Sequence, residues 1–307
     1  MKIWILVFAT LAVGYAQQCA PCRTMKWATC DGNSCPCFVW VNEGLDGKRK
    51  QNIDCTQLVP KCYLMQAEMY RAKRNMSTRS IGDKPHETAF VDNDGIYDPV
   101  CENDGKFRAK QCNNTKECWC VNSAGVRRTD KGDESLKCDE LVETYWVSLR
   151  LKHKPLSSGV TLDKNQLKTA IGDAIKSRYN FNSSLVKEIQ YDPDARLIVV
   201  DVMKPIGDRT THLDRMAYYM EKDVKILPLF LDQAKFSPSV GSTQLDMEDI
   251  LVYYVDEKAP TFTMKNLSGG IVAVIVVVVL LVVAGLVILL VLKKRREKYN
   301  KAQQNDQ

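Results

Sequence analysis

The residues of this chain point to an α+β ectodomain of several small domains followed by a single transmembrane helix. Three features carry that expectation. All twelve cysteines fall between Cys19 and Cys138. Beyond Glu143 the hydrophobic pattern changes between a period of two and one near 3.6, the marks of strand and helix. Apolar runs occupy both ends of the chain, a short one first and a run without any charge from 271 to 292.

The ends set the compartment. Lys2 precedes an apolar stretch from Ile3 to Val13, and Gly14 and Ala16 put small residues before a cut between Ala16 and Gln17. That is the pattern of a secretory signal peptide over 1–16. At about 1.5 Å per residue, 271–292 reaches about 33 Å as a helix, enough to span a bilayer. The Lys/Arg cluster that begins at Lys293 is a stop signal on the cytoplasmic side. The expected topology is therefore type I and single-pass at the plasma membrane, with a transmembrane helix over 267–292 and a cytoplasmic basic tail over 293–307. Of the net charge of +6, the tail supplies +4 and Lys2 leaves with the signal peptide, so the ectodomain is near neutral. A nucleic-acid binder needs a concentrated basic surface, and here the excess sits against the membrane.

In a secreted segment, an even number of crowded cysteines reads as a disulfide framework. Cys118 and Cys120 are too close for the C-x-x-C turn of metal and redox sites. On an extended chain they share one face, with Trp119 on the other, so each is expected to reach its own partner. The spacing divides six and six. "CAPCRTMKWATCDGNSCPC" and Cys55 form an N-terminal knot over 17–60 with little apolar content. Cys62, Cys101, Cys112, Cys118, Cys120 and Cys138 define a second domain over 61–138, and spacing alone leaves the connectivity open.

The cysteine-free half, 139–266, reads as a membrane-proximal α+β domain. Tyr145, Val147, Leu149 and Leu151 alternate on a strand. Leu167, Ile171, Ile175 and Tyr179 recur at helical spacing behind Asp163 and Gln166, placed like a capping box. "VKEIQYD" and "ARLIVVDV" flank a turn at Asp192-Pro193-Asp194. Leu213, Met216, Ala217, Met220 and Val224 mark a second helix, and "ILVYYVDE" a last strand. This β-α-β-β-α-β order is that of a ferredoxin-like sandwich. Tyr218-Tyr219 and Tyr253-Tyr254 are each expected to give one ring to the core and one to the surface.

Catalytic chemistry is not predicted, and neither a cofactor nor a metal is. His86, His153 and His212 lack ligand spacing, and the acids Asp92, Asp94, Asp98, Glu102 and Asp104 do not follow an EF-hand loop. Asn75, Asn113, Asn182 and Asn266 begin N-x-[ST] sequons and are candidate glycosylation sites. Between Cys62 and Cys101 the stretch "YRAKRNMSTRSIGDKPHE", with Arg71, Lys73, Arg74, Arg79 and Lys84, lacks apolar periodicity, and an exposed, mobile loop is expected there. Arg71-Ala72-Lys73-Arg74 fits the convertase pattern R-x-K/R-R, which makes Arg74 a candidate cleavage site.

One stretch resembles a known repeat. Pro99 to Cys101, Gln111-Cys112, Cys118-Trp119-Cys120-Val121 and Gly125 are similar to the marks of a thyroglobulin type-1 domain. With "YYMEKDVK", "YYVDEKAP", the valine-rich run and the basic stop, the chain resembles the family of the epithelial cell adhesion molecule (EpCAM) and the tumour-associated calcium signal transducers. The resemblance implies the pairs Cys62–Cys101, Cys112–Cys118 and Cys120–Cys138, and in the knot Cys19–Cys35, Cys22–Cys55 and Cys30–Cys37. It also implies a cell-surface molecule that forms cis homodimers, supports epithelial cell–cell adhesion and signalling at lateral junctions, and associates with claudins. The alternative is a membrane-tethered inhibitor of papain-like cysteine proteases, since some thyroglobulin type-1 domains act in that way. Against it, "VRRTDKG" follows Gly125 where inhibitory members carry a glycine-rich loop.

Overall fold

The computed structural model describes residues 19–44, 47–76, 97–113, 116–157, 160–225, 228–262, 276–278 and 280. The expected signal peptide with its Ala16/Gln17 cut, Asn266 and the tail lie outside these residues. Two compact units divide the chain, 1–260 and 261–307. In the second, Val276, Val277, Val278 and Leu280 are helical and exposed. Among the described residues no helix is long and apolar enough to cross a membrane. The rest of the run 271–292, on which that expectation rests, is not among them.

In the first unit, β1 (Thr29–Cys30), β2 (Cys37–Glu43) and β3 (Gly47–Ile53) form a small antiparallel sheet in that order. Phe38, Val39 and Val41 of β2 are buried, whereas β3 is an exposed edge. Six disulfides tie the first half together: Cys19–Cys35, Cys22–Cys55, Cys30–Cys37, Cys62–Cys101, Cys112–Cys118 and Cys120–Cys138. Loss of one such bridge from a small secreted domain costs about 2–5 kcal/mol.

The helix α1 (Lys61–Lys73) corrects the start of the loop expected over 70–87, while Arg79 and Lys84 in the rest of that stretch lie outside the described residues. Arg71 and Lys73 belong to its last turn, and Arg74 is its C-terminal cap. Lys61 to Met65 are buried without a break. The helix is enclosed on more than one side and shows no apolar stripe, so periodicity could not reveal it. Its sequence, "KCYLMQAEMYRAK", is nonetheless rich in strong helix formers, and propensity was the usable signal. Arg74 donates to Asn42 Oδ1 (3.1 Å) and to the Gly47 carbonyl (3.2 Å) and lies 3.9 Å from the Tyr70 ring centre. A protease could seat Arg74 only after this turn opened.

Next come β4 (Lys110–Cys112) and β5 (Cys118–Cys120), a short antiparallel pair. The cysteine-free half contains β6 (Thr144–His153), α2 (Lys164–Tyr179), β7 (Val186–Asp192), β8 (Leu197–Met203), α3 (Leu213–Lys225), the small β9 (Ser239–Val240) and β10 (Thr243–Gln244) hairpin, and β11 (Met247–Asp256). Asp163 caps α2 by accepting from the backbone N–H groups of Asn165 and Gln166, and Asn180 ends it in the left-handed conformation. Asp192 closes the β7–β8 turn by accepting from Asp194 and Ala195 N–H. The four long strands form one antiparallel sheet, ordered β11-β6-β8-β7. Val147, Leu149, Leu151, Ile198, Val200, Val202, Ile250 and Val252 pack from one face against Leu167, Ile171 and Ile175 of α2 and Leu213, Met216 and Met220 of α3.

Tyr218 and Tyr219 depart from the expected division, because both are buried. The sheet covers one side of α3 and α1 meets another, so neither ring is left at the surface. Tyr253 and Tyr254 take opposite faces of β11, and both are half-buried.

Candidate functional site: the junction and the open sheet face

The cysteine-rich and cysteine-free halves meet across a buried, charged junction. Glu68 of α1 accepts at one oxygen, Oε2, from both Tyr218 OH and Lys222 Nζ of α3, each at 2.7 Å. Lys61 Nζ stands 4.5 Å from the centre of the Tyr254 ring, and Lys222 Nζ 4.6 Å from that of Tyr218. Burial pushes Lys61 down to about 8 and the Asp214 carboxyl up to about 6; Arg215 and Lys61 pull Asp214 the other way. Nearby, burial and the Arg215 charge push His212 down to about 4.

These shifts have opposite consequences. The folded chain holds the Asp214 proton more tightly, so this group adds stability as pH falls from about 6 to about 4. His212 resists protonation when folded and removes stability between about 6.5 and 4. Lys61 adds stability only as pH rises above about 8. The Asp214 contribution therefore has to be read against a variant. The melting temperature of the unaltered chain should gain on that of Asp214→Asn as pH is lowered from 7 to 4.5. A pH-independent difference would count against the buried, raised carboxyl.

Two further seams join the halves. Tyr219 OH donates to the Thr24 carbonyl (2.9 Å) and accepts from Val59 N–H (3.2 Å). Lys26 N–H reaches the Leu229 carbonyl at 2.8 Å, and Leu231 N–H the Arg23 carbonyl at 3.0 Å. At the other seam, Arg128 binds Asp256 through Nε (2.8 Å) and the carbonyls of Lys258 and Ala259 through Nη2 (2.6 and 2.9 Å). Asn122 Nδ2 and Thr144 Oγ1 complete the shell around Asp256 at 2.8 and 2.9 Å. Despite these partners, burial holds the Asp256 carboxyl above its ordinary range.

The thyroglobulin-like marks have physical roles. Gln111 is buried: its Oε1 accepts from Val100 N–H at 2.8 Å, and its Nε2 donates to the Val100 and Arg108 carbonyls. Trp119 is buried with the Tyr97 ring edge-on at 5.5 Å. Gly125 has φ +76°, and a Cβ there would meet the Phe107 ring at 2.5 Å, so only glycine fits.

Away from the helices, the sheet leaves its other face open. Trp146, Leu197, Val199, Met203, Leu251, Tyr253 and Val255 are only partly covered on it. Asp201 lies among them, accepting from Trp146 Nε1 (3.1 Å) and Ser148 Oγ (2.8 Å).

Other candidate residues are dispersed. His153 is buried, with ring nitrogens 2.7 Å from the Lys154 carbonyl and 3.1 Å from Tyr191 OH. His86, Asp92 and Asp94 lie outside the described residues. Asp98, Glu102 and Asp104 pair separately with Lys73, Arg108 and Lys106. Asn75 and Asn182 are exposed; Asn182 caps a turn by accepting from Ser184 N–H. Asn113 is half-buried and bonds Glu117 through both amide atoms.

A disulfide-stapled module joined to an α/β module by buried charges defines a class of multidomain ectodomain, and comparison with known proteins narrows it. The thyroglobulin type-1 repeat matches residues 66–138, and the C-terminal region of EPCAM/Trop-2 matches 144–256. Mouse (Mus musculus) epithelial cell adhesion molecule is 41% identical over 278 residues, 88% of this chain and 82% of that protein. Mouse tumor-associated calcium signal transducer 2 is 39% identical over 263 residues, 84% of this chain and 79% of that protein. The human (Homo sapiens) epithelial cell adhesion molecule is 39% identical over 277 residues, with coverages of 88% and 82%. The chain belongs to the family of the epithelial cell adhesion molecule and the tumor-associated calcium signal transducers.

Proposed function

We propose that this chain is a type I, single-pass glycoprotein of the epithelial cell surface that supports cell–cell adhesion and associated signalling as a cis homodimer. Its relatives are named for adhesion and signal transduction. The observation that carries self-association is the open sheet face. Partly exposed apolar side chains surround the exposed Arg150, which stands between Val199 and Leu251 and 5.0 Å from the Tyr253 ring centre, and apolar surface of that kind marks interaction sites. Light scattering on the glycosylated ectodomain should give the mass of two chains. Val199→Glu combined with Leu251→Glu, which set carboxylates on both sides of Arg150, should give one chain that still unfolds cooperatively, at the lower melting temperature expected once the dimer no longer contributes. A one-chain mass for the unaltered ectodomain would refute the dimer.

The modules are read as 17–60, 61–138 and 139–266, the last as ferredoxin-like; its sheet order and element sequence support that reading. Glycans on Asn75, Asn113, Asn182 and Asn266 belong to the same picture. Each Asn→Gln change should remove one endoglycosidase-sensitive step on gels, and an unshifted band excludes that site. Claudin-type partners at lateral junctions extend the reading, and cross-linking on intact epithelial cells must recover them. The protease-inhibitor alternative requires a free loop after Gly125. Arg128 in that loop is instead bound to Asp256, Lys258 and Ala259, which favours a structural role.

A further inference from the structure

The edge strand β3 and the aromatic rings beneath it lie away from the junction and the open sheet face. Gly47 to Lys50 are four consecutive exposed residues, three of them cationic. Lys48 Nζ stands 4.5 Å above the Trp40 ring centre. Lys50 Nζ stands 4.0 Å above Phe38 and 5.7 Å from Trp40, while the two rings meet edge-on at 5.3 Å. Arg49 takes the opposite side of the strand and donates to Gln51 Oε1 at 2.9 Å. Among the described residues neither Lys48 nor Arg49 forms an ion pair, and Lys50 has one exposed acid, Asp31, at 3.4 Å.

We propose that this edge is a binding site for a linear sulfated polysaccharide of the glycosaminoglycan class. Alternation puts Lys48 and Lys50 on one side of the strand and Arg49 on the other, so a chain lying along the edge touches all three. An edge strand also leaves backbone N–H groups unpaired, and these can donate to sulfate or carboxylate oxygens. The aromatic rings hold the lysine stems extended before binding, which reduces the entropy lost when an anion is captured. In an ectodomain of near-neutral charge, this concentration of cations is local. Lysines on an edge also discourage strand-to-strand aggregation; that role alone would not require them to bind a polyanion.

The test uses the full-length chain on cells that make no glycosaminoglycans, with fluorescent heparin as the probe and signal normalised to surface antibody staining. Heparin should bind, and binding should weaken as salt rises. Lys48→Gln/Arg49→Gln/Lys50→Gln should lower it by about tenfold or more. A control, Lys164→Gln/Lys168→Gln/Lys176→Gln on exposed positions of α2, should not. Asp31→Asn, which releases Lys50, should raise binding, and de-O-sulfated heparin should fail to bind. The proposal is overturned if the unaltered chain binds no heparin, if the β3 variant binds as well as the unaltered chain, or if the α2 control loses as much.

Discussion

Glu68→Ala should destabilise the folded ectodomain by about 3–5 kcal/mol and lower its melting temperature by roughly 10 °C. The change strips Lys222 Nζ and Tyr218 OH of an acceptor that each holds at 2.7 Å. The Glu68 and Lys222 side chains are 1% and 4% exposed, so water does not readily replace the lost carboxylate. The remaining ammonium is then buried against the Tyr218 ring without its anion. Removing one partner is expected to be far worse than removing both. Glu68→Leu with Lys222→Met should therefore recover most of the loss, since a buried pair and an apolar pair of similar volume differ little in free energy. Thermal and denaturant melts of the two variants decide it. A loss below about 1 kcal/mol for Glu68→Ala would mean that the junction admits water.

Arg128→Ala should have a comparable effect at the other seam, about 3–5 kcal/mol, and should loosen 256–260 in particular. One guanidinium there satisfies a carboxylate and two backbone carbonyls, and the Arg128 and Asp256 side chains are 10% and 8% exposed. Lysine cannot reproduce this geometry, because the contacts use Nε and Nη2 in fixed directions, so Arg128→Lys should recover little. Amide exchange across 256–260 should accelerate in the alanine variant, and trypsin should cut after Lys258 under native conditions. Equal exchange in variant and unaltered chain would show that the loop does not hold this segment.

Local features were legible in the residues themselves. Alternation on β6, the turn at Asp192, the cap at Asp163 and the apolar stripe of α3 all arise from interactions a few positions apart. The glycine required beside Phe107 and the buried glutamine before Cys112 belong to the same class, since each sits inside a compact repeat whose spacing is itself a signature.

What the chain pattern could not display was the surface of one half seen by the other. Read as an independent module, α3 has a polar side formed by Asp214, Tyr218, Glu221 and Lys222, and that side ordinarily faces water. Read alone, residues 61–73 show no stripe, and the last of them, 70–73, pass for the start of a basic loop. Tertiary structure reverses both readings at once, because α1 packs on α3. A disulfide-rich half with a thyroglobulin-like repeat and an alternating α/β half could be read from the residues alone, since cysteine spacing and hydrophobic period are local quantities. That Glu68 meets Lys222 and Arg128 meets Asp256 emerges from the packing of the two halves. Partners separated by 154 and 128 residues leave no periodic trace, and a charged side chain is written identically whether it will face water or a buried counter-ion.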